Sequence, residues 1–307
     1  MGQCNIPNLA EGVTYTHADT GADHTVLLTS DGVAAVCGSN EHGECNIPAL
    51  SDGVIYTQVA TSEWHTVLLK SDGTAVACGW NLDGQCDIPV VPEGVVYEQV
   101  ATAECCTLLV KSDGTFVACG GGMKGHCNIP ALPAGVTYVQ LAIALSHIVL
   151  LMSDGIAVAC GKNDCGQCNI PALAECVVYT HVAVGYDHTV LLKSDGAVVA
   201  FGNNLDGQCT IPALPVGVTY VQLAAAVDHT VLLRSDGAAV ACGDDQYGQC
   251  NIPALAEGVA YTHVVATRFS VTLFMSDGNA AICGHNDQGP CIIPALPRGV
   301  TYVHRAQ

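Results

Sequence analysis

The chain is short of charge, and what it has is mostly of one sign. Nine Lys and Arg stand against 28 Asp and Glu in 307 residues, a formal net charge of −19 with only 12% of positions charged; an average soluble domain carries about a quarter. Nine scattered cations cannot supply the clustered Lys and Arg that neutralise phosphates, so nucleic acid is not an expected partner. A partner protein with a basic patch, or a cation, suits this field better, and the acidity also serves solubility. Long hydrophobic runs are missing too. The longest candidate, Leu141 to Met152, is interrupted by Ser146 and His147 and falls short of the ~18 residues of a membrane helix, so no membrane partner is expected. There is no Gly-x-Ser-x-Gly elbow, no phosphate-binding loop and no HExxH, and hence no expected catalytic residue, cofactor or enzymatic activity. Helical periodicity is absent throughout.

What is present is a repeat. Asp-Gly occurs at Asp31, Asp72, Asp113, Asp154, Asp195, Asp236 and Asp277, each 41 residues after the last. The Cys of Gly-Gln-Cys-Asn-Ile-Pro and its variants keeps the same step, at 4, 45, 86, 127, 168, 209, 250 and 291. A fixed period near 40 residues signals a repeat architecture. Seven units leave 20 residues over, and these are a duplicate: Gly2 to His17 matches Gly289 to His304. The first unit opens part-way through, with no leader before it, as a fragment of a longer array would.

Val54 to Pro89 serves as the model unit. Val54 to Ala60, rich in β-branched residues, predicts one strand and Thr66 to Lys70 a second, joined by the polar break Thr61 to Trp64. Ser71-Asp72-Gly73 is a tight turn into a third strand, Thr74 to Cys78. A loop from Gly79 to Gly84 leads to a short fourth strand, Gln85 to Ile88, closed by Pro89. Seven such 41-residue, four-stranded units predict an all-β fold, a closed seven-bladed β-propeller forming one domain over residues 1–307. Blades buried on both faces account for a chain that is 50% hydrophobic. Leucine-rich repeats lack the central hairpin. Either Gln3 to Ile6 or Cys291 to Ile293 would complete the last blade, leaving the other spare.

The unit resembles the regulator-of-chromosome-condensation repeat. The resemblance is carried by Gly21-Ala-Asp-His24, Asp31-Gly32 and Gly202-Asn-Asn-Leu-Asp-Gly207-Gln208 and extends over essentially the whole chain. One departure is that Cys replaces the Trp usual before the Gly ending the third strand. The compact unit is also similar to that of the propeller-type β-lactamase inhibitor. Such a resemblance implies a non-catalytic protein–protein interaction module. It also leaves open a propeller fragment or regulatory region of a larger enzyme such as a HECT-type ubiquitin ligase, or a protein inhibitor of an enzyme. Guanine-nucleotide exchange, which in the family uses an inserted β-wedge, is not expected where a strict period leaves no insertion.

Eighteen cysteines raise the question of zinc or disulfides. Pairs such as Cys37 and Cys45, or Cys78 and Cys86, lie eight apart, which is not a zinc spacing. In the fifth unit Phe201 replaces the first Cys while Cys209 remains. A partner exchanged for a large apolar ring predicts core thiols, hence a reducing compartment and a cytoplasmic location. His24, His65, His147, His188 and His229 recur before the second strand, with Cys106 and Ser270 in the other units. Ser can keep a hydrogen bond but would weaken a metal site, so these read as structural and no metal is expected. His17, His181, His263 and His304 interchange with Gln58, Gln99, Gln140 and Gln222, which predicts a shared hydrogen-bonding role.

The units differ from one another in two places: the break between strands one and two, and the loop between strands three and four. Both emerge at the same end of an up-and-down blade, and individual loops on a rigid scaffold are where recognition is built. The candidate protein-binding residues lie there: Glu63, Trp64, Trp80, Asp83, Met123, Tyr186, Asp187, Asp228, Tyr247, Arg268 and Phe269. Aromatic anchors among acidic loops suit a partner presenting Arg or Lys to a monomeric propeller.

Overall fold

The structure, a computed structural model, describes residues 6–7, 9–21, 23–103, 105–120, 132–133, 135–144, 147–286 and 289–290. Met123 and most of Gln3 to Ile6 and Cys291 to Ile293 lie outside the described residues. Among the described residues no helix is long and apolar enough to cross a membrane. The chain divides into two compact units, residues 1–138 and 139–307.

The first unit holds three antiparallel sheets. They are β1 (Tyr15–Thr20), β2 (His24–Thr29) and β3 (Ala34–Gly38); β4 (Tyr56–Thr61), β5 (His65–Lys70) and β6 (Ala75–Gly79); and β7 (Tyr97–Ala103), β8 (Cys106–Lys111) and β9 (Phe116–Gly120). The fourth sheet is β10 (Tyr138–Ile143), β11 (His147–Met152) and β12 (Ala157–Gly161). Next come β13 (Tyr179–Val184), β14 (His188–Lys193) and β15 (Val198–Gly202), then β16 (Tyr220–Ala225), β17 (His229–Arg234) and β18 (Ala239–Gly243). The last sheet is β19 (Tyr261–Ala266), β20 (Ser270–Met275) and β21 (Ala280–Asn286), to which the two-residue β22 (Gly289–Pro290) adds an edge.

Register follows the sequence signals. In the second sheet Leu69 pairs with Ala75 and His65 with Gly79, so the Ser-Asp-Gly turn closes one end and the His meets the terminal Gly at the other. Gly73 has φ +76°, and a Cβ there would lie 2.4 Å from the side chain of Val96, just before the next sheet. The position is closed to any larger residue.

Alternation along the middle strand explains the apolar composition. Val67 and Leu69 of β5 pack with Tyr97, Val100 and Leu109 of the third sheet. Leu68 points the other way, onto Val26, Leu28, Tyr56 and Val59. Both faces of the sheet are therefore buried, and the same layering recurs through the second unit.

In the second sheet the expected fourth strand is not formed. Gln85 to Ile88 is a turn followed by chain without a ladder, because its donors are used locally. The Cys86 N–H donates to Asn81 Oδ1 (2.7 Å), that of Asp87 to the Gly84 carbonyl (3.1 Å) and that of Ile88 to the Cys86 carbonyl (2.9 Å). Pro89 has no N–H at all. The segment is instead pinned to the next sheet by the Tyr97 hydroxyl, which donates to the Pro89 carbonyl at 2.7 Å. Among the described residues six sheets are thus three-stranded, and the last gains β22 as a fourth strand.

Glutamine side chains stitch neighbouring sheets. Gln140 Oε1 accepts the Val182 N–H (3.0 Å) while its Nε2 donates to the Val182 carbonyl (3.1 Å), and Gln58 and Gln222 repeat this on Val100 and Val264. His181 does not share the role, contrary to the sequence expectation. Its Nδ1 lies 3.2 Å from Thr180 Oγ1, and an imidazole cannot present a donor and an acceptor side by side as a carboxamide does.

Candidate functional site

Two loops meet at one end of every fully described sheet. In the second, the Trp80 N–H donates to the Trp64 carbonyl at 2.9 Å, joining the loop after β6 to the break before β5. Ser39 to Asp23, Asn203 to Asp187, Asp244 to Asp228 and His285 to Phe269 make the same bond at 2.8–2.9 Å. The join depends on glycine. A Cβ on Gly79, whose φ is +115°, would sit 2.4 Å from the Trp64 carbonyl oxygen. The two variable segments are therefore neighbours on one face of each blade, as the sequence predicts.

Trp64 and Trp80 come together, their ring centroids 6.0 Å apart at 49°. A residue that sequence reasoning missed completes the group. His42, from the loop of the preceding repeat, lies 4.8 Å from Trp80 at 86° and 6.3 Å from Trp64 at 72°. In the second unit Tyr247 lies 5.1 Å from Phe269, joined by His285, also missed, at 5.7 Å from Tyr247. Tyr247, Phe269 and His285 stand five repeats after His42, Trp64 and Trp80 in the 41-residue register. One position set, drawn from two consecutive repeats, has been filled with aromatics twice.

The same set holds three carboxylates at Asp206, Asp228 and Asp244. Burial raises the Asp228 carboxyl above its ordinary range, aided by the charges of Asp206 and Asp244 and opposed by Arg268. One repeat earlier the acid is satisfied. Asp187 pairs with Lys162 Nζ at 3.2 Å and accepts Gln167 Nε2 at 2.8 Å. Arg268 itself is exposed and places its guanidinium carbon 5.0 Å from the centre of the Phe269 ring. Glu63, Asp83 and Tyr186 are exposed. Asp83 is held through its backbone N–H, which donates to Gln85 Oε1 at 3.1 Å.

Among the described residues no group of three or more His, Cys, Asp or Glu is arranged to hold a metal ion. A cavity of about 620 Å³ within the second unit is lined by Gln140, Thr180, His181, Gln222, Thr262 and His263 among others. Its polar groups come from the first strand of each sheet rather than from the variable loops.

Three segments, residues 56–85, 179–208 and 220–249, match the regulator of chromosome condensation (RCC1) repeat. Three of the repeats thus match the RCC1 repeat model. No curated protein sequence matches. Among solved structures the chain is similar to Prp20p from Saccharomyces cerevisiae, at 19% identity over 75% of this chain and 72% of that one (TM-score 0.58). Human WBSCR16 is similar at 15% identity over 85% and 87% (TM-score 0.62). The ectodomain of the receptor kinase ACR4 from Arabidopsis thaliana is similar at 14% over 92% and 98% (TM-score 0.62). Identities this low speak to fold alone, and the fold is the seven-bladed β-propeller.

Within the matched segments the recurrent His is structural. His65 Nε2 lies 2.9 Å from Thr107 Oγ1 of the next repeat, and that hydroxyl donates to the Gln85 carbonyl at 2.7 Å. The Thr proton is committed, so the imidazole donates from Nε2. Burial pushes the pKa of both His65 and His188 down to about 4. The repeat cysteines are divided between carbonyls in the same regular way. Cys78 donates its S–H to the Glu44 carbonyl of the preceding repeat (3.5 Å) and Cys86 to the Trp80 carbonyl of its own loop (3.3 Å). Cys242 and Cys250 repeat the pattern on Gln208 and Asp244. Burial pushes Cys78 up to about 12 and Cys86 to about 11.

Proposed function

We propose that this propeller is a non-catalytic protein-interaction module whose variable-loop face takes a partner protein with a basic patch. The observation that carries the reading is the recurrence, at one position set on that face, of aromatic clusters and of a carboxylate cluster, beside an opposite end built from uniform turns. Aromatic side chains anchor interfaces because they bury large area at small entropic cost. The net charge of −19 favours basic partners. Prp20p has binding properties toward Gsp1p and histones, and Prp20 has been crystallised bound to Kap60, so a propeller of this kind can serve as a protein-binding scaffold. Buried thiols of low acidity support a reducing compartment, and the cytoplasm is the proposed location.

The test is capture of a partner followed by calorimetry with the purified pair. Trp64→Ala and Trp80→Ala should each cost about 2 kcal/mol of binding, the usual threshold for a hot spot. Normal binding by both variants, with loss on altering the Ile-Pro-Ala-Leu connections, would assign the partner to the opposite face.

A further inference from the structure

We infer that the His42–Trp64–Trp80 cluster is a receptor for an arginine guanidinium presented by the partner. The inference rests on the variable face being the interaction surface, and it names what one part of that face takes.

The second aromatic cluster shows the chemistry. There the protein supplies its own cation, Arg268, whose guanidinium carbon lies 5.0 Å from the Phe269 ring centre. This is the separation at which a ring quadrupole attracts a cation. In the 41-residue register, Glu63 occupies the position of Arg268, immediately before Trp64 as Arg268 is before Phe269. A second exchange of charge lies beneath. Gln85, Gln167, Gln208 and Gln249 share one buried position, and Glu44 holds it in the repeat that contributes His42. The Glu44 side chain is 2% exposed, and its carboxylate accepts the His42 N–H at 2.8 Å. Burial alone would raise the Glu44 pKa, but N–H groups, Ser39 and the His24 charge outweigh it and hold the acid below its ordinary range. It is ionised at neutral pH.

The two clusters thus share an aromatic arrangement but differ in charge at two matching positions. Where one has an internal Arg over its ring and a neutral Gln beneath, the other has Glu at both positions. Ring packing alone would not call for two carboxylates. A planar, weakly hydrated guanidinium can stack on Trp while donating to a carboxylate, which a compact ammonium does less well.

Trp64 and Trp80 are the two tryptophans of the chain, so tryptophan emission, excited at wavelengths where tyrosine does not absorb, reports on this cluster alone. The full chain is titrated at low salt with acetyl-Gly-Arg-Gly-amide and with its citrulline and lysine counterparts. The expected result is a saturable change with the arginine peptide and at least fivefold weaker binding of the other two. Glu63→Arg recreates the internal cation and should weaken binding at least tenfold with an unchanged melting temperature. Should that variant fold poorly, Glu44→Gln, the residue of the other repeats, should weaken binding at least threefold. Equal response to citrulline or lysine, or an unchanged response in the folded variants, would overturn the assignment. If the peptide fails while Trp64→Ala still abolishes capture of the protein partner, the guanidinium receptor falls and the interaction face stands. If both fail, the face falls too.

Discussion

His188 Nε2 lies 3.0 Å from Thr230 Oγ1, and one repeat later the corresponding bond is missing because Val271 stands where the threonine would be. His229 is fully buried and neither ring nitrogen has a hydrogen-bond partner among the described residues. Replacing Val271 with the near-isosteric Thr should give the imidazole an acceptor, with the Gln249 carbonyl available for the new hydroxyl, as Gln208 serves Thr230. Val271→Thr should therefore stabilise the chain by about 1 kcal/mol in chemical denaturation. Thr230→Val should do the opposite, costing about 1–3 kcal/mol by orphaning His188.

The buried imidazoles also set an acid limit. His65 and His188 stay neutral in the folded chain down to about pH 4, while in the unfolded chain they take up protons near pH 6.5. Their folded pKa is depressed, so their contribution is complete above pH 6.5 and is lost as pH falls from 6.5 towards 4. The loss is at most about 1.4 kcal/mol per pH unit for each imidazole. Unfolding free energies measured across that window should fall, and His188→Gln should flatten the slope. An identical slope in the variant would remove the imidazole as the cause.

Thiol titration tests the cysteine arrangement. Denatured without reductant, the chain should yield close to 18 reactive groups, the full cysteine content. In the native state exposed Cys165 and Cys176 should react first. Cys78 and Cys250, pushed up to about 12 by burial, should react last. A total near six would mean that the repeat pairs are disulfides.

Charge on the variable face should act on encounter. Asp83→Lys should slow association with a basic partner while changing dissociation little, and the effect should shrink from low to physiological salt. Stopped-flow association rates at two salt concentrations check this.

The sequence made the period, the hairpin turn and the two variable loops legible, because Asp-Gly and the terminal Gly leave no conformational choice. The fourth strand was misread for a local reason. Gln85 to Ile88 has strand-like composition, but Asn81 captures a backbone donor through its side chain, and composition does not reveal that. At His181 the equivalence with Gln failed on geometry: Gln140 grips both polar groups of Val182, whereas His181 turns to Thr180. His42 escaped notice because it belongs to one repeat and packs on the next. Listing the residues by repeat separates it from Trp64 and Trp80, and only a staggered alignment would have joined them.

That stagger changes what counts as a module. Each three-residue set begins in the last loop of one repeat and ends in the corresponding loop of the next, as His42 to Trp80 does. Exchanging a repeat cut at its Ile-Pro connections would split two recognition sites and conserve neither. Cutting instead just before His42 and just after Trp80 moves one site whole, so a grafted cassette, or a natural duplication, carries specificity intact only when it is out of phase with the repeat as the sequence displays it.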